Sequence, residues 1–178
     1  MTTFITVLTK PTTQANVFDV CWAAGPKSQG LLNVTLNCKT EDDEVAAELT
    51  ALQYLLETSQ VCGQNRTGNS LDIICSLGTV KKLAQGKSEK VSLADFALFL
   101  RTRFVDANVT ISKDATIFNP DRLKGNRKAI AIDAPQLSTI KLPDGLRVAI
   151  THHALTAHMV RYQIPLAANA WRSLRAMM

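Results

Sequence analysis

Aromatic residues make up only 6% of the 178 residues. A platform on which nucleic-acid bases stack therefore has little material, and Trp22, Phe104 and Phe118 are its candidates. No apolar run approaches the roughly 18–20 residues of a membrane helix, so no membrane partner is expected. The opening MTTFITVLTK lacks the basic segment and small-residue cleavage site of a signal peptide. Also missing are a Gly-rich phosphate loop, a G-x-S-x-G elbow, a Cys-His dyad and any C-x-x-C pair. The four cysteines, Cys21, Cys38, Cys62 and Cys75, sit scattered in apolar contexts. They read as core thiols of a cytoplasmic protein, with a metal site or a disulfide pair as the alternative. Asn33, Asn65 and Asn108 head N-x-T triplets, which carry no meaning without secretion.

An apolar fraction of 46% and a charged fraction of 20% describe a globular chain long enough to bury a core. The net charge of +5 is unevenly spread. Residues 1–100 carry 8 Lys/Arg against 10 Asp/Glu, whereas residues 101–178 carry 12 against 5. A basic half suits a phosphate-bearing partner, because each neutralised phosphate releases counterions.

Three β-rich runs come first: TFITVLTK (3–10), NVFDVCWAA (16–24) and LLNVTLNCKT (31–40). Gly25-Pro26 and Gly30 punctuate them, and the short links predict an antiparallel meander. Thr40 offers a helix cap with Asp43 three residues on, followed by Val45, Leu49, Leu52 and Leu56 at helical spacing to about Glu57. The polar loop GQNRTGNS (63–70) leads to a buried strand, LDIICSL (71–77). A short helix over 79–85 closed by Gly86, a Ser92-capped helix over 93–104 and a strand over 108–114 follow. Beyond residue 114, KAIAI (128–132), STIKL (138–142) and LRVAI (146–150) are candidate strands. Thr151 caps a helix to about Tyr162, and Pro165 opens the last helix as a first-turn proline.

The order β-β-β-α-β-α-α-β over residues 3–114 resembles the ribonuclease H-like fold. The likeness rests on AAELTALQYLLE after the third strand, on LDIICSLGTVKKLAQG, and on SLADFALFLRTRF leading into NVTISKD. It implies a ribonuclease H-like domain over 1–115 and a basic C-terminal extension over 116–178 that ends in two helices. It also implies phosphodiester hydrolysis by two Mg²⁺ or Mn²⁺ ions held by clustered carboxylates. Carried over by position, Glu48 falls where the helical glutamate belongs. The fourth-strand acid is replaced by Ser76, and the first strand has no acid, ending at Thr9-Lys10. Asp114 and Asp121 lie near the fifth-strand position. A register slip that made NVFDVCW the first strand would bring in Asp19.

Glu48 thus has three readings: a solvated or Lys/Arg-paired carboxylate at the stripe margin, a remnant of a metal site, or a working ligand with Asp19 and one of Asp72 or Asp114. Each needs a partner for the carboxylate, because burying one unpaired is costly. His152, His153 and His158 cluster in THHALTAHM but place no two on one helical face at i, i+4, so surface or capping roles are expected. The last two helices have the length of a helix-turn-helix, yet Tyr162-Gln163-Ile164 stands at the turn, and a packed hairpin anchored by Trp171 is expected instead.

These residues lead to a reading as a nucleic-acid-binding protein for RNA or DNA whose metal-dependent catalysis has been lost. Arg122, Lys124, Arg127, Lys128, Arg172 and Arg175 are expected to touch phosphates, and no cofactor is needed. One alternative is an Mg- or Mn-dependent nuclease working through Asp19, Glu48 and a third acid. Another is an adaptor that docks a protein through the helical hairpin.

Overall fold

Alternating apolar residues in the first forty positions build the expected meander. In the computed structural model, which describes residues 2–64 and 67–178, β1 (Thr3–Pro11), β2 (Val17–Ala23) and β3 (Gln29–Leu36) pair antiparallel in succession. Asn65 and Arg66, the first two residues of the Asn65 triplet in the 63–70 loop, lie outside the described residues. No helix among the described residues is long and apolar enough to cross a membrane.

Helix α1 (Asp43–Gln53) follows, continued by a π-helical turn over Tyr54–Thr58. Its start differs by a residue or two from the expected cap. Asp42 is the N-cap and accepts from the Val45 amide, while the Thr40 amide and hydroxyl both donate to Asp43 Oδ1 at 3.1 and 2.8 Å. Val45, Leu49 and Leu52 face the sheet, and Ala46, Ala47 and Ala51 let the helix sit close on it.

Strand β4 (Leu71–Cys75) joins β1 in parallel, and β5 (Asn108–Ile111) joins β4 in parallel. Helix α2 (Gly78–Ala84) lies between them. The mixed α/β sheet implied by the element order is present, in the order β5-β4-β1-β2-β3-β6.

Two expectations for residues 92–104 fail. The helix over 93–104 is broken into a 3₁₀ turn (Val91–Leu93) and a single turn, α3 (Leu98–Arg101). This segment feeds two cores at once, Phe96, Phe99 and Phe104 into the main one and Leu98 into another. The Thr102 hydroxyl then bonds the Leu98 carbonyl at 2.7 Å, competing with the backbone ladder. Ser92 does not cap a helix; its hydroxyl donates to Glu41 Oε2 and accepts from the Glu41 amide.

Residues 115–125 cross to the second face of the sheet, where Phe118 packs with Leu8, Cys21, Ala23 and Leu31. After helix α4 (Pro120–Gly125), strand β6 (Arg127–Ile132) adds to β3 in parallel. Part of the basic extension therefore forms the sixth strand of the main sheet. Gln29 ties the crossing down, donating to the Ile117 carbonyl and accepting from the Asn119 amide. A methyl group at Gly30 would stand 2.7 Å from the Asn126 carbonyl and 2.8 Å from Trp22 Nε1. Gly30→Ala is expected to cost about 1–3 kcal/mol by overpacking. Faster amide exchange in β6 than in β4 would locate the damage.

The remaining chain makes a second, smaller core. Strands β7 (Ser138–Lys141) and β8 (Arg147–Ile150) form a hairpin, followed by α5 (His152–Arg161) and α6 (Ala167–Met177). Trp171 is buried there with Leu98, Ile140, Ile150 and Leu155, which makes it the expected anchor. Thr151 caps α5 by accepting from the Ala154 amide. Leu166 is the N-cap of α6, so Pro165 precedes the helix and is not in its first turn.

Candidate functional site

Glu48 is completely buried, and its carboxylate is saturated with donors. Strand β1 brings Thr9 to it, whose hydroxyl donates to Oε2 at 2.6 Å. The end of β4 brings Ser76, whose hydroxyl donates to the same oxygen and whose amide donates to Oε1 at 3.0 Å. The Leu77 amide donates to Oε1 at 3.1 Å. Thr9 and Ser76 are themselves joined, the Thr9 amide donating to Ser76 Oγ at 3.1 Å. Burial raises the Glu48 pKa, and the hydrogen bonds from Ser76, Thr9 and the Leu77 and Ser76 amides offset part of that rise. Burial, followed by the Glu48 charge, pushes the neighbouring Cys75 thiol well above its ordinary range.

This geometry corrects the marginal, Lys/Arg-paired reading of Glu48: the partners are hydroxyls and amides. It also separates Glu48 from Asp19. Along β1, Ile5 and Val7 face α1, and Thr9 shares their side. Asp19 pairs with Lys10 and so points to the opposite face, where Asn33 Nδ2 donates to it at 3.0 Å. Asp72 alternates with the buried Leu71 and Ile73 and also faces away, bonded by Asn108. Asp114 is exposed and bonds its own loop at Thr116, which lowers its pKa. Asp121 lies in the exposed first turn of α4.

A pair of hard dications needs several anionic oxygens. The donors gathered here are one carboxylate and two hydroxyls, with both carboxylate oxygens already engaged. These residues do not fit a two-metal centre. Among the described residues, no group of three or more His, Cys, Asp or Glu side chains could hold a metal ion.

The basic residues divide between separate surfaces. Arg122 donates to the Pro26 carbonyl, and exposed Lys124 shares its helix α4 on the second face of the sheet. Arg127 and Lys128 are successive strand residues and point to opposite faces. Lys128 Nζ lies 4.9 Å from the centre of the Tyr54 ring on the α1 side. Arg172 and Arg175 instead line a groove of about 790 Å³, together with Arg103, Lys141 and Arg147.

The groove reaches the far end of the α1 segment at Glu57, nine residues past Glu48, or roughly 14 Å at 1.5 Å per residue. Glu57 pairs with Arg103 at 3.4 Å and Asp106 with Arg172 at 3.8 Å. Lys141, Arg147 and Arg175 have no carboxylate partner among the described residues. Lys141 and Arg147 stand directly opposite each other across the β7–β8 hairpin. Like charges in that position repel, and a bound anion relieves them.

Arg103, Lys141 and Arg147 were not among the residues expected from sequence. The Pro143-Asp144-Gly145 turn sets Lys141 opposite Arg147, so that pair was legible; Arg103 carries no such signal. The stacking candidates are corrected as well, because Trp22, Phe104 and Phe118 are all buried. His158 is likewise no surface residue. It bridges α5 to Ser173 of α6 at 3.1 Å and packs its ring on Tyr162.

No family model matches the chain, and no curated protein matches it. Among solved structures, the chain is similar to ribonuclease H1 from the halophilic archaeon Halobacterium salinarum NRC-1. The identity is 15% and the TM-score 0.48, over 70% of this chain and 93% of that one. Likeness at that level carries no information on activity.

Proposed function

We propose that this chain binds RNA or DNA through the groove between α6, the β7–β8 hairpin and residues 102–106, and that its Glu48 site no longer performs two-metal hydrolysis. The observation that carries the reading is the convergence of Arg103, Lys141, Arg147, Arg172 and Arg175 on one concavity with only two acids to balance them. Such a surface neutralises backbone phosphates, and the gain from counterion release makes binding steeply salt-dependent. With the aromatic candidates buried, base stacking contributes little and sequence preference is weak. Arg122, Lys124 and Arg127 form a secondary contact at most, since they lie with the second face of the sheet.

Retardation of labelled single-stranded RNA and duplex DNA across a salt series tests the reading. Arg172→Ala combined with Arg175→Ala is expected to weaken binding tenfold or more and to flatten the salt slope by about 1.4–1.8. Arg122→Ala with Lys124→Ala is expected to change affinity less than threefold. No binding at low salt, or equal losses in both double variants, would overturn the groove. Cleavage of an RNA–DNA hybrid that depends on Mg²⁺ or Mn²⁺ and disappears in Glu48→Gln would overturn the non-catalytic half and establish the nuclease.

A further inference from the structure

A second cationic feature lies apart from the groove, where the loop after α2 meets the start of α5. A small cavity of about 80 Å³ is lined there by Gly86, Ser88, Lys90, Arg101 and His152. Arg101 is half-buried, and burial lowers its pKa. It has no carboxylate partner among the described residues. A guanidinium partly withdrawn from water gains from a counter-ion, and no carboxylate among the described residues supplies one.

The nearby acids are already engaged elsewhere. Asp42 takes Lys90 Nζ at 2.5 Å, and Asp95 Oδ1 accepts from the His152 amide at 2.6 Å. Arg101 is held in place by His152, whose Nδ1 lies 3.2 Å from Nη1. Because a guanidinium only donates, this bond requires neutral His152. Burial first, and the Arg101 charge second, keep His152 below the usual imidazole range, in agreement with that role.

Residue 86, a glycine, lies over the guanidinium of Arg101 and adds no side chain there. A Cβ there would stand 3.0 Å from Nη2 and 3.4 Å from Nε, and the φ of +68° also favours glycine. Ser88 Oγ accepts from the Lys90 amide at 3.2 Å, which leaves its O–H proton to turn toward a ligand oxygen.

We propose that this cavity is a phosphate site, in which the Nε–Nη2 edge of Arg101 holds two oxygens and the Ser88 hydroxyl holds a third. An Nε–Nη2 edge matches a phosphate bidentately. The cavity admits a tetrahedral oxyanion but no base or sugar. The ligand is therefore free phosphate or a terminal phosphate group whose attached chain lies outside. The site does not depend on nucleic-acid binding by the groove, which could fail while this one holds.

The test uses the full chain with potassium phosphate, against potassium chloride at equal ionic strength. Phosphate at ten times its Kd is expected to raise the thermal midpoint by about 3–6 °C, saturably. Arg101→Gln is expected to abolish that rise. Ser88→Glu keeps the arginine but supplies an internal carboxylate; it is expected to raise the phosphate-free midpoint and abolish the response. Should Arg101→Gln fail to fold, Ser88→Glu decides. An equal rise with chloride, or a phosphate response that survives in Ser88→Glu, would overturn the site.

A comparison of 5′-phosphorylated and 5′-hydroxyl oligonucleotides then distinguishes the sources. A tenfold preference for the phosphorylated strand, lost in Ser88→Glu, assigns the site to a strand end. Equal affinity beside a saturable phosphate response assigns it to the free ion.

Discussion

Glu48→Ala is expected to lower the unfolding free energy by about 2–6 kcal/mol, the cost of leaving two buried amides without an acceptor. The carboxylate accepts from two hydroxyls and two amides. After truncation the hydroxyls can turn toward each other, but the Ser76 and Leu77 amides are left facing an empty space. Each buried donor stranded in this way costs about 1–3 kcal/mol. Urea unfolding of the purified chain reads the loss directly.

Glu48→Gln separates the two roles of this residue. In a cluster of metal-binding acids, neutralising one carboxylate relieves repulsion and leaves stability unchanged or higher. Here the glutamine NH₂ must face groups that are already donors, so a loss of about 1–3 kcal/mol is expected. The pH dependence has a definite sign. The folded pKa of Glu48 is raised from 4.5, so between that value and the raised one the native state holds more protons than the unfolded state. Stability from this group is complete below the unfolded pKa and falls as pH rises through the folded pKa. Subtracting the Glu48→Gln curve from the wild-type curve should leave that decline.

The second large effect is expected at Trp171. Trp171→Ala removes the largest side chain of the C-terminal core, at a cost of about 3–5 kcal/mol. That core is small, so the loss should appear as local opening of β7, β8, α5 and α6 before the main sheet unfolds. Hydrogen exchange would then accelerate in Ile140, Ile150 and Leu155 while Ile5 and Ile73 stay protected. Nucleic-acid affinity should fall as far as in the Arg172→Ala, Arg175→Ala double variant. Lys141 and Arg147 lose their positions along with the two α6 arginines. Unchanged affinity would show that binding does not use this surface.

The contrast between legible and hidden features has a physical basis. The meander was readable because period-two apolar alternation and short Gly/Pro links are local properties. The α1 stripe was readable for the same reason. Glu48 stood out as an acid at the stripe edge, and the absence of acids at Thr9 and Ser76 was plain. What those two hydroxyls do instead required β1, β4 and α1 to be brought together in space. The broken helix at 93–104 was misread because periodicity cannot show a segment serving two cores.

Sequence alone therefore determined the antiparallel meander of β1, β2 and β3, the Thr151 cap of α5 and the Trp171 anchor. Each of these follows from residue type and spacing along one stretch of chain. Tertiary structure alone decided that β6 closes the sheet, that Asp19 and Glu48 lie on opposite faces, and that Arg103 joins Arg147 and Arg175 in one groove. Those outcomes depend on which distant segments share a surface, and the parity of a strand settles the face only once its partner and register are known.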